Sequence, residues 1–339
     1  MIWLGKKNIY RSAIIIGLFI LAGFLYAPVV KAVTLIPPSL EIGLKPGTEY
    51  KTVVKLYNET ADPIVLYTET RSFTAKGETG QPDFDFESEP IDLSAWVEIE
   101  PGPITIEPGK RYEVPVTITP PVNADPGGHY ATIFFSSAPP EEGQLRISSK
   151  VGTLILARVD GEILEMAAIS EFSTLDSQKV FNRLPVEFYA RINNTGNVHL
   201  KPSGQVTISG WFVGDDNTIE FNPGQGATLP KTTRKYDLTW DKGTIVEKPG
   251  NFWSDFWQEY GNERNNFALG KYKAVLNLTA GTTGTATITD NNAEITYWII
   301  PWHILLVWLI VAVLGILVLL WLIKKYNSWI VQKSQANKK

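Results

Sequence analysis

Few residues of this chain belong to the types that carry out chemistry. It has no cysteine, and its three histidines, His129, His199 and His303, are widely separated. Thiolate nucleophiles, cysteine-bound metals, disulfides and a histidine-based metal site are therefore excluded. No phosphate-binding glycine loop, serine nucleophile elbow or zinc-protease motif occurs in the sequence. We expect a protein that is not an enzyme and that binds no metal or cofactor.

Carboxylates are concentrated in one segment, residues 75–94, which includes Asp83, Asp85, Glu87 and Glu89. Oxygen ligands at this density resemble a calcium loop, but the glycine-punctuated spacing of an EF-hand is missing. A solvated acidic loop is the favoured interpretation. Phenylalanines alternate with the carboxylates, so an edge strand is also left open.

A second distinctive segment, residues 240–265, is rich in aromatic residues. Its candidate binding residues are Trp253, Phe256, Trp257 and Tyr260. Exposed aromatic rings can stack on sugars, anchor a protein partner or lie at a bilayer surface. They can equally form an extra layer over a hydrophobic core, and these alternatives stay open.

The chain begins with an apolar segment that is typical of export. Residues 13–30 carry no charge, follow a basic stretch and end before small residues that suit a signal peptidase. We predict a signal peptide over residues 1–32, cleaved after Ala32. An uncleaved signal anchor is the alternative, and it would export the rest of the chain as well.

A longer apolar segment lies near the carboxyl end. Residues 301–323 carry no formal charge, and as a helix they would measure about 35 Å, enough to span a bilayer. We predict a transmembrane helix over residues 298–323, with a buried soluble helix as the alternative. Lys324 and Lys325 follow at once, so the basic tail 324–339 is expected in the cytoplasm. The protein would then be a single-pass cell-membrane protein with an extracytoplasmic body.

The net charge of −4 conceals an uneven distribution. Both ends are basic, and residues 33–323 contain 22 basic and 35 acidic residues, a net charge of −13. Nucleic-acid binding requires neutralisation of phosphates by cations. The acidic body therefore argues against a nucleic-acid partner.

The body between the apolar segments is predicted to be all-β. Short alternating runs rich in Val, Ile, Thr and Tyr, such as residues 50–57 and 111–118, are separated by Pro, Gly, Asn and Asp, as in β-sandwiches. We predict two tandem immunoglobulin-like β-sandwiches, an N-terminal domain at 33–159 and a second domain at 160–296, plus the C-terminal transmembrane α-helix. No amphipathic helix is expected between residues 33 and 296.

An internal repeat supports two copies of one plan. Three pairs of segments correspond: 55–62 with 191–197, 107–112 with 229–236, and 128–133 with 270–275. In the third pair, Tyr130 and Tyr272 each open an apolar strand after a turn, which predicts structural tyrosine corners. The connection before this tyrosine is 19 residues longer in the second domain, and the aromatic segment occupies the excess. Strand counting places that insert at the membrane-proximal end.

Several of these features together resemble one bacterial family. They are a strand-like start at 35–42, a turn at 45–48, the sequence Pro126-Gly127-Gly128-His129-Tyr130, and the apolar segment with its lysine-rich tail. The chain resembles the WxL-interacting proteins of bacterial cell surfaces. This resemblance implies a peptidoglycan-binding Ig-like domain followed by an Ig-like domain that binds a host or protein partner.

We therefore expect a non-enzymatic, membrane-anchored surface scaffold that binds peptidoglycan, another cell-wall polymer, or a secreted or surface protein. The alternative is a pilus-chaperone-like or assembly factor that binds strands of its partner by β-augmentation.

Overall fold

The structure is a computed structural model that describes residues 33–84, 93–137, 150–211, 217–247, 250–279, 287–289 and 291–336. The predicted signal peptide lies outside these residues, as do residues 85–92 of the acidic segment.

The first sandwich contains residues 33–159. Its elements are β1 (Val33–Ile36), β2 (Ser39–Leu44), β3 (Tyr50–Asn58), β4 (Ile64–Ser72), β5 (Thr74–Ala75), β6 (Pro82–Asp83), α1 (Leu93–Trp96), β7 (Val97–Ile99), β8 (Ile104–Ile106), β9 (Arg111–Ile118), β10 (Gly127–Ser136) and β11 (Lys150–Val159). One sheet has the order β1-β3-β9-β7 and the other β2-β11-β10-β4-β8, while β5 and β6 form a small hairpin.

Alternation along the strands creates the core of this sandwich. Val54 and Leu56 of β3 and Val114 and Val116 of β9 are almost completely buried, and the residues between them are exposed or half-buried. Successive side chains of a strand point to opposite faces. Each sheet therefore turns one apolar face inward.

The second sandwich contains residues 166–299. Its strands are β12 (Met166–Thr174), β13 (Val180–Phe181), β14 (Val186–Asn194), β15 (Ser203–Gly210), β16 (Thr218–Phe221), β17 (Thr233–Trp240), β18 (Gly270–Thr279), β19 (Thr287–Thr289) and β20 (Asn292–Ile299). The sheets have the orders β17-β14-β12-β19 and β13-β20-β18-β15-β16.

The two sandwiches share one plan. In each, a short strand runs parallel to the last long strand, β2 beside β11 and β13 beside β20. In each, a completely buried asparagine ends a nine-residue strand, β3 or β14: the Nδ2 atoms of Asn58 and Asn194 both donate to two backbone carbonyls. The prediction of a largely β chain with two tandem sandwiches and a C-terminal apolar helix is confirmed at this level.

The structure adds a helix that the sequence did not lead us to expect. Residues Phe252–Asn265 form α2, inside the aromatic segment. The side chain of Asn251 caps it by accepting a hydrogen bond of 2.9 Å from the backbone nitrogen of Ser254. Such a cap satisfies one of the free N–H groups of the first turn. The expectation that no amphipathic helix lies between residues 33 and 296 is therefore wrong.

The C-terminal helix, α3 (Trp302–Ala336), begins later and ends later than the predicted span. Its start is delayed because β20 keeps residues up to Ile299 in the sheet. It continues past residue 323 because no proline or glycine interrupts the lysine-rich segment that follows. The part Trp302–Ile330 is long and apolar enough to cross a membrane.

Candidate functional site

The junction between the sandwiches is organised around Asn197, in the turn between β14 and β15. Its backbone oxygen accepts a hydrogen bond of 2.7 Å from the backbone nitrogen of Gly128 in the first sandwich. Its side-chain oxygen accepts from the backbone nitrogen of Leu164 at 2.7 Å, and its Nδ2 donates to the backbone oxygen of Glu162 at 2.8 Å. One side chain thus ties the inter-domain linker to the second sandwich.

A pair of rings packs beside this turn. The hydroxyl of Tyr130 in β10 lies 3.4 Å from Nδ1 of His199, and the two rings meet edge to face at 5.7 Å. Burial at this junction raises the pKa of Tyr130 above its ordinary value and lowers the pKa of His199. Both groups are therefore favoured in their neutral forms.

A hairpin of the first sandwich forms a second connection. The turn between β5 and β6 carries Glu78, whose carboxylate pairs with Nε of Arg191 at 2.7 Å. The backbone oxygen of Glu78 accepts a hydrogen bond of 2.9 Å from the backbone nitrogen of Lys235 in β17. The part of the acidic segment around Glu78 thus connects the two domains and is not only a solvated loop.

A groove of about 380 Å³ lies between these two connections. Its walls include Phe73, Leu154 and Leu156 of the first sandwich and the loop 224–229 of the second. Leu154 and Leu156 belong to the face of β11 that points away from the core of the first sandwich, since Ile155 between them is completely buried. The groove therefore combines an apolar floor with a polar loop.

Cationic groups enter the groove from the second sandwich. Lys201 forms an ion pair with Glu41, and Nη1 of Arg234 donates to the backbone oxygen of Ala227 at 2.7 Å. The guanidinium of Arg234 fills a slot between two glycines: a Cβ atom on Gly80 would lie 2.2 Å from its Cζ, and one on Gly226 would lie 2.5 Å from Nη2. A side chain at either glycine would displace the guanidinium.

The edge of a sheet is open along this groove. The backbone oxygens of Pro38 and Leu44 accept hydrogen bonds from the backbone nitrogens of Leu154 and Asp160, so the even-numbered residues of β2 pair with β11. The backbone groups of Ser39, Glu41 and Gly43 consequently point away from β11. Within the described part of the chain, none of these groups has a recorded partner. Ser39 and Glu41 border the groove, and Gly43 borders its continuation beside His199.

The predicted aromatic residues lie at the other end of the second sandwich, on α2. Trp253 and Trp257 are exposed, whereas Phe256 and Tyr260 are half-buried. The ring of Phe256 packs 6.3 Å from Trp302 and 5.1 Å from His303, both in the first turn of α3. The four residues thus belong to one helix that contacts the start of α3.

A buried carboxylate connects the two helices. Glu263 is 0% exposed; its Oε1 lies 2.6 Å from Nδ1 of His303, and its Oε2 accepts a hydrogen bond of 3.1 Å from the backbone nitrogen of Ile304. The carboxylate therefore satisfies a free N–H group at the start of α3, where negative charge is stabilising. Neither Glu263 nor His303 was among the predicted site residues. The sequence signal for such buried partners is that Glu259 and Glu263 share the helical face of Phe252 and Phe256.

The two predicted tyrosine corners have different surroundings. The hydroxyl of Tyr272 lies 3.2 Å from the backbone nitrogen of Leu269, three residues upstream, as a tyrosine corner requires. The hydroxyl of Tyr130 instead faces His199 across the domain junction. This tyrosine therefore takes part in positioning the domains.

No protein-family model and no curated protein sequence matches the chain. Matching solved structures include the class 5 fimbriae chaperone CfaA, which is 13% identical over 78% of this chain and 99% of that one, with a TM-score of 0.34. A second is the E. coli chaperone DraB, 10% identical over 79% of this chain and 97% of that one, with a TM-score of 0.33. A third, from work on a chaperone–tip adhesin complex of CFA/I fimbriae, is 14% identical over 78% and 98%, with a TM-score of 0.35.

These findings overturn the resemblance drawn from the sequence. The matching structures include fimbrial chaperones and a PapD-like domain of human CEP192, and nothing found supports the WxL-interacting family or a peptidoglycan-binding domain. The expectation of a wall-binding surface scaffold is therefore wrong.

Proposed function

We propose that this chain is a membrane-anchored binding factor that captures an extended segment of an exported protein in the groove between its two sandwiches. The segment would add to the open edge of β2 as a further strand. The protein acts by binding and releasing the segment, without chemical conversion.

The open edge of β2 is the observation that carries this proposal. An unpaired strand edge is a template for another extended chain, and proteins usually cover or interrupt such edges. Among the residues that the structure describes, no backbone partner pairs with Ser39, Glu41 and Gly43 along the groove, and β2 lies at the edge of its sheet. Main-chain hydrogen bonds to this edge would provide affinity for extended segments of many sequences.

The groove also supplies a means of selecting side chains. Alternate side chains of an added strand point to the same side, roughly 7 Å apart. Those facing Leu154 and Leu156 would be apolar, and a carboxylate would find Lys201 and Arg234 nearby. We therefore expect segments with alternating apolar residues and an acidic group or chain end.

The C-terminal helix indicates where this binding takes place. The span Trp302–Ile330 is followed by a basic tail, and under the positive-inside rule the tail would lie in the cytoplasm and the sandwiches on the opposite side, which supports this proposal. The factor would then meet its partner outside the cytoplasm, at the membrane surface.

A matched pair of substitutions at Gly43 tests strand addition. Gly43→Pro removes an N–H group on the open edge and leaves the pairing of β2 with β11 intact, because that pairing uses the neighbouring residues. Gly43→Ala keeps the N–H, and its Cβ meets nothing within 4 Å. A phage-displayed peptide library would be selected on the full chain in nanodiscs, and the best peptide titrated against both variants.

We expect Gly43→Pro to weaken binding about 2–12-fold, which corresponds to one lost hydrogen bond of about 0.5–1.5 kcal/mol. Gly43→Ala should bind as the wild type does. Equal affinity of the proline variant, at an unchanged melting temperature, would show that the segment does not pair with β2. A library that yields no binder at all would count against the groove as a peptide site.

A further inference from the structure

The helix α2 lies across the beginning of α3. Phe256 contacts Trp302 and His303, and Glu263 contacts His303 and Ile304. These two residues of α2 are about 10 Å apart along its axis, yet both reach the same turn of α3. Two helices running side by side would instead place them against different turns. The axis of α2 is thus directed across that of α3.

One side of α2 is attached to the second sandwich and the loop beside it. Asn262 is buried, and its side chain exchanges two hydrogen bonds with the backbone of Val246, at 3.0 and 3.1 Å. Glu259 pairs with Arg183 at 3.2 Å. These contacts define the face of α2 that is directed toward the body of the protein.

The opposite side of α2 carries exposed tryptophans. Trp253 and Trp257 are 67% and 55% exposed. At 100° per residue they lie roughly 180° around the helix from Asn262 and Glu259. Arg264 falls between them on the same side and is also exposed. This aromatic face therefore points away from the body, beside the face through which Phe256 and Glu263 contact the start of α3.

We propose that the aromatic face of α2, Trp253, Trp257 and Arg264, lies in the headgroup layer of the bilayer that α3 enters. A helix that lies across the first turn of α3 is positioned to run along the membrane surface when α3 spans it. Tryptophan rings favour the interface between headgroups and hydrocarbon, and an arginine there can reach phosphate groups. Continuity with the apolar span Trp302–Ile330 makes lipid the occupant of this face.

This placement gives α2 a defined depth. The apolar face of an interfacial helix is buried about 5–10 Å into the boundary between headgroups and acyl chains. The contacts of Glu263 would hold α2 at that depth, because they fix it to the first turn of α3. The protein would therefore contact the membrane through α2 as well as through the membrane-spanning part of α3.

The absence of cysteine from the sequence makes a direct test possible. The full chain with Trp257→Cys, or with Asp255→Cys as the matched control, an exposed residue on the other side of the same helix, would be labelled with the water-sensitive fluorophore NBD. Each protein would be reconstituted into vesicles of phosphatidylcholine and phosphatidylglycerol, with a doxyl quencher near the top or near the end of the acyl chain.

We expect NBD at position 257 to be blue-shifted and quenched most strongly by the shallow doxyl lipid. NBD at position 255 should report water and show little quenching by either lipid. Equal quenching at the two positions, or none at 257, would overturn the proposal. So would a label at 257 that is exposed to water in vesicles and shielded only in native membranes, because that result would assign the face to a protein partner.

A second labelling site keeps the test valid if the first variant is destabilised. If Trp257→Cys lowers the melting temperature, Trp253→Cys on the same face takes its place, since its side chain is still more exposed. Both sites should give the same depth, and disagreement between two folded variants would contradict a helix that lies along the surface.

Discussion

Replacing Glu263 by alanine should release α2 from α3. The wild-type carboxylate is completely buried and serves two groups, Nδ1 of His303 and the backbone nitrogen of Ile304. In the variant, Nδ1 of His303 and the backbone nitrogen of Ile304 lose this partner while both residues remain buried. Leaving a buried polar group unpaired costs about 1–3 kcal/mol, so the two together predict a loss of roughly 2–6 kcal/mol in the docking of α2.

Hydrogen exchange at Ile304 measures this loss where it occurs. A cost of about 1–3 kcal/mol for that amide alone corresponds to exchange faster by about 5–150-fold. The full chain in nanodiscs would be compared by mass spectrometry of peptides that cover residues 300–306. Glu263→Gln should give a smaller effect, because its carbonyl oxygen can still accept from Ile304 while its amide group faces His303.

Asp255→Ala is the matched control for this experiment. It removes a carboxylate from the same helix, but Asp255 is exposed, so the expected change is below about 1 kcal/mol. If Glu263→Ala alters exchange at Ile304 no more than Asp255→Ala does, the carboxylate does not join the two helices, and α2 is not held against the first turn of α3 by Glu263.

Three further predictions concern the sandwiches. Burial lowers the pKa of His199, so the folded state favours the neutral ring. The stability that the neutral ring contributes is present at neutral pH and is lost as the pH falls below about 6.5. The melting temperature at pH 5 should therefore drop less in His199→Phe than in the wild type. Asn194→Asp should destabilise the second sandwich by about 3 kcal/mol or more, because an oxygen would face two carbonyls, whereas Asn193→Asp should change little in the same thermal melts. Glu78→Ala should widen the angle between the domains in small-angle scattering, and an unchanged profile would show that the pair with Arg191 does not hold it.

The β-sandwiches could be predicted because their pattern is local. In β3 and β9, apolar side chains alternate with polar ones over eight or nine residues, and that alternation alone identifies a half-buried strand. The repeat of a strand that runs into a polar turn, at residues 55–62 and 191–197, is likewise visible in the sequence.

The helix α2 could not be predicted in the same way. Its apolar residues are Phe, Trp and Tyr, which favour strands as much as helices, and Gly261 weakens the helical pattern. What stabilises it is packing on the rest of the fold through Asn262, Glu263 and Phe256. Tertiary contacts of this kind lie outside any local window.

The groove depends on contacts between residues that are distant in sequence. The slot that holds Arg234 is formed by Gly226 in the same domain and by Gly80 in the other. The open edge of β2 is recognisable only when its parallel pairing with β11 is known. The predicted residues on α2 lie beside the start of α3, and the groove at the domain junction had no counterpart among them.

The connection between β20 and α3 contains only Ile300 and Pro301, and the backbone nitrogen of Ile300 is bonded to the backbone oxygen of Phe181 at 2.8 Å. A flexible linker of n residues has an end-to-end distance of about 5–6 Å × √n, over which the attached domain can move. This two-residue connection allows almost no such movement. A domain on a flexible tether samples a volume around its anchor and so meets partners at many distances from the membrane. The groove of this protein would instead stay at one height above the bilayer and would meet partners by lateral diffusion of the whole protein in the membrane plane. A segment just emerging from the bilayer would meet the groove often, and one a few nanometres farther out would rarely do so.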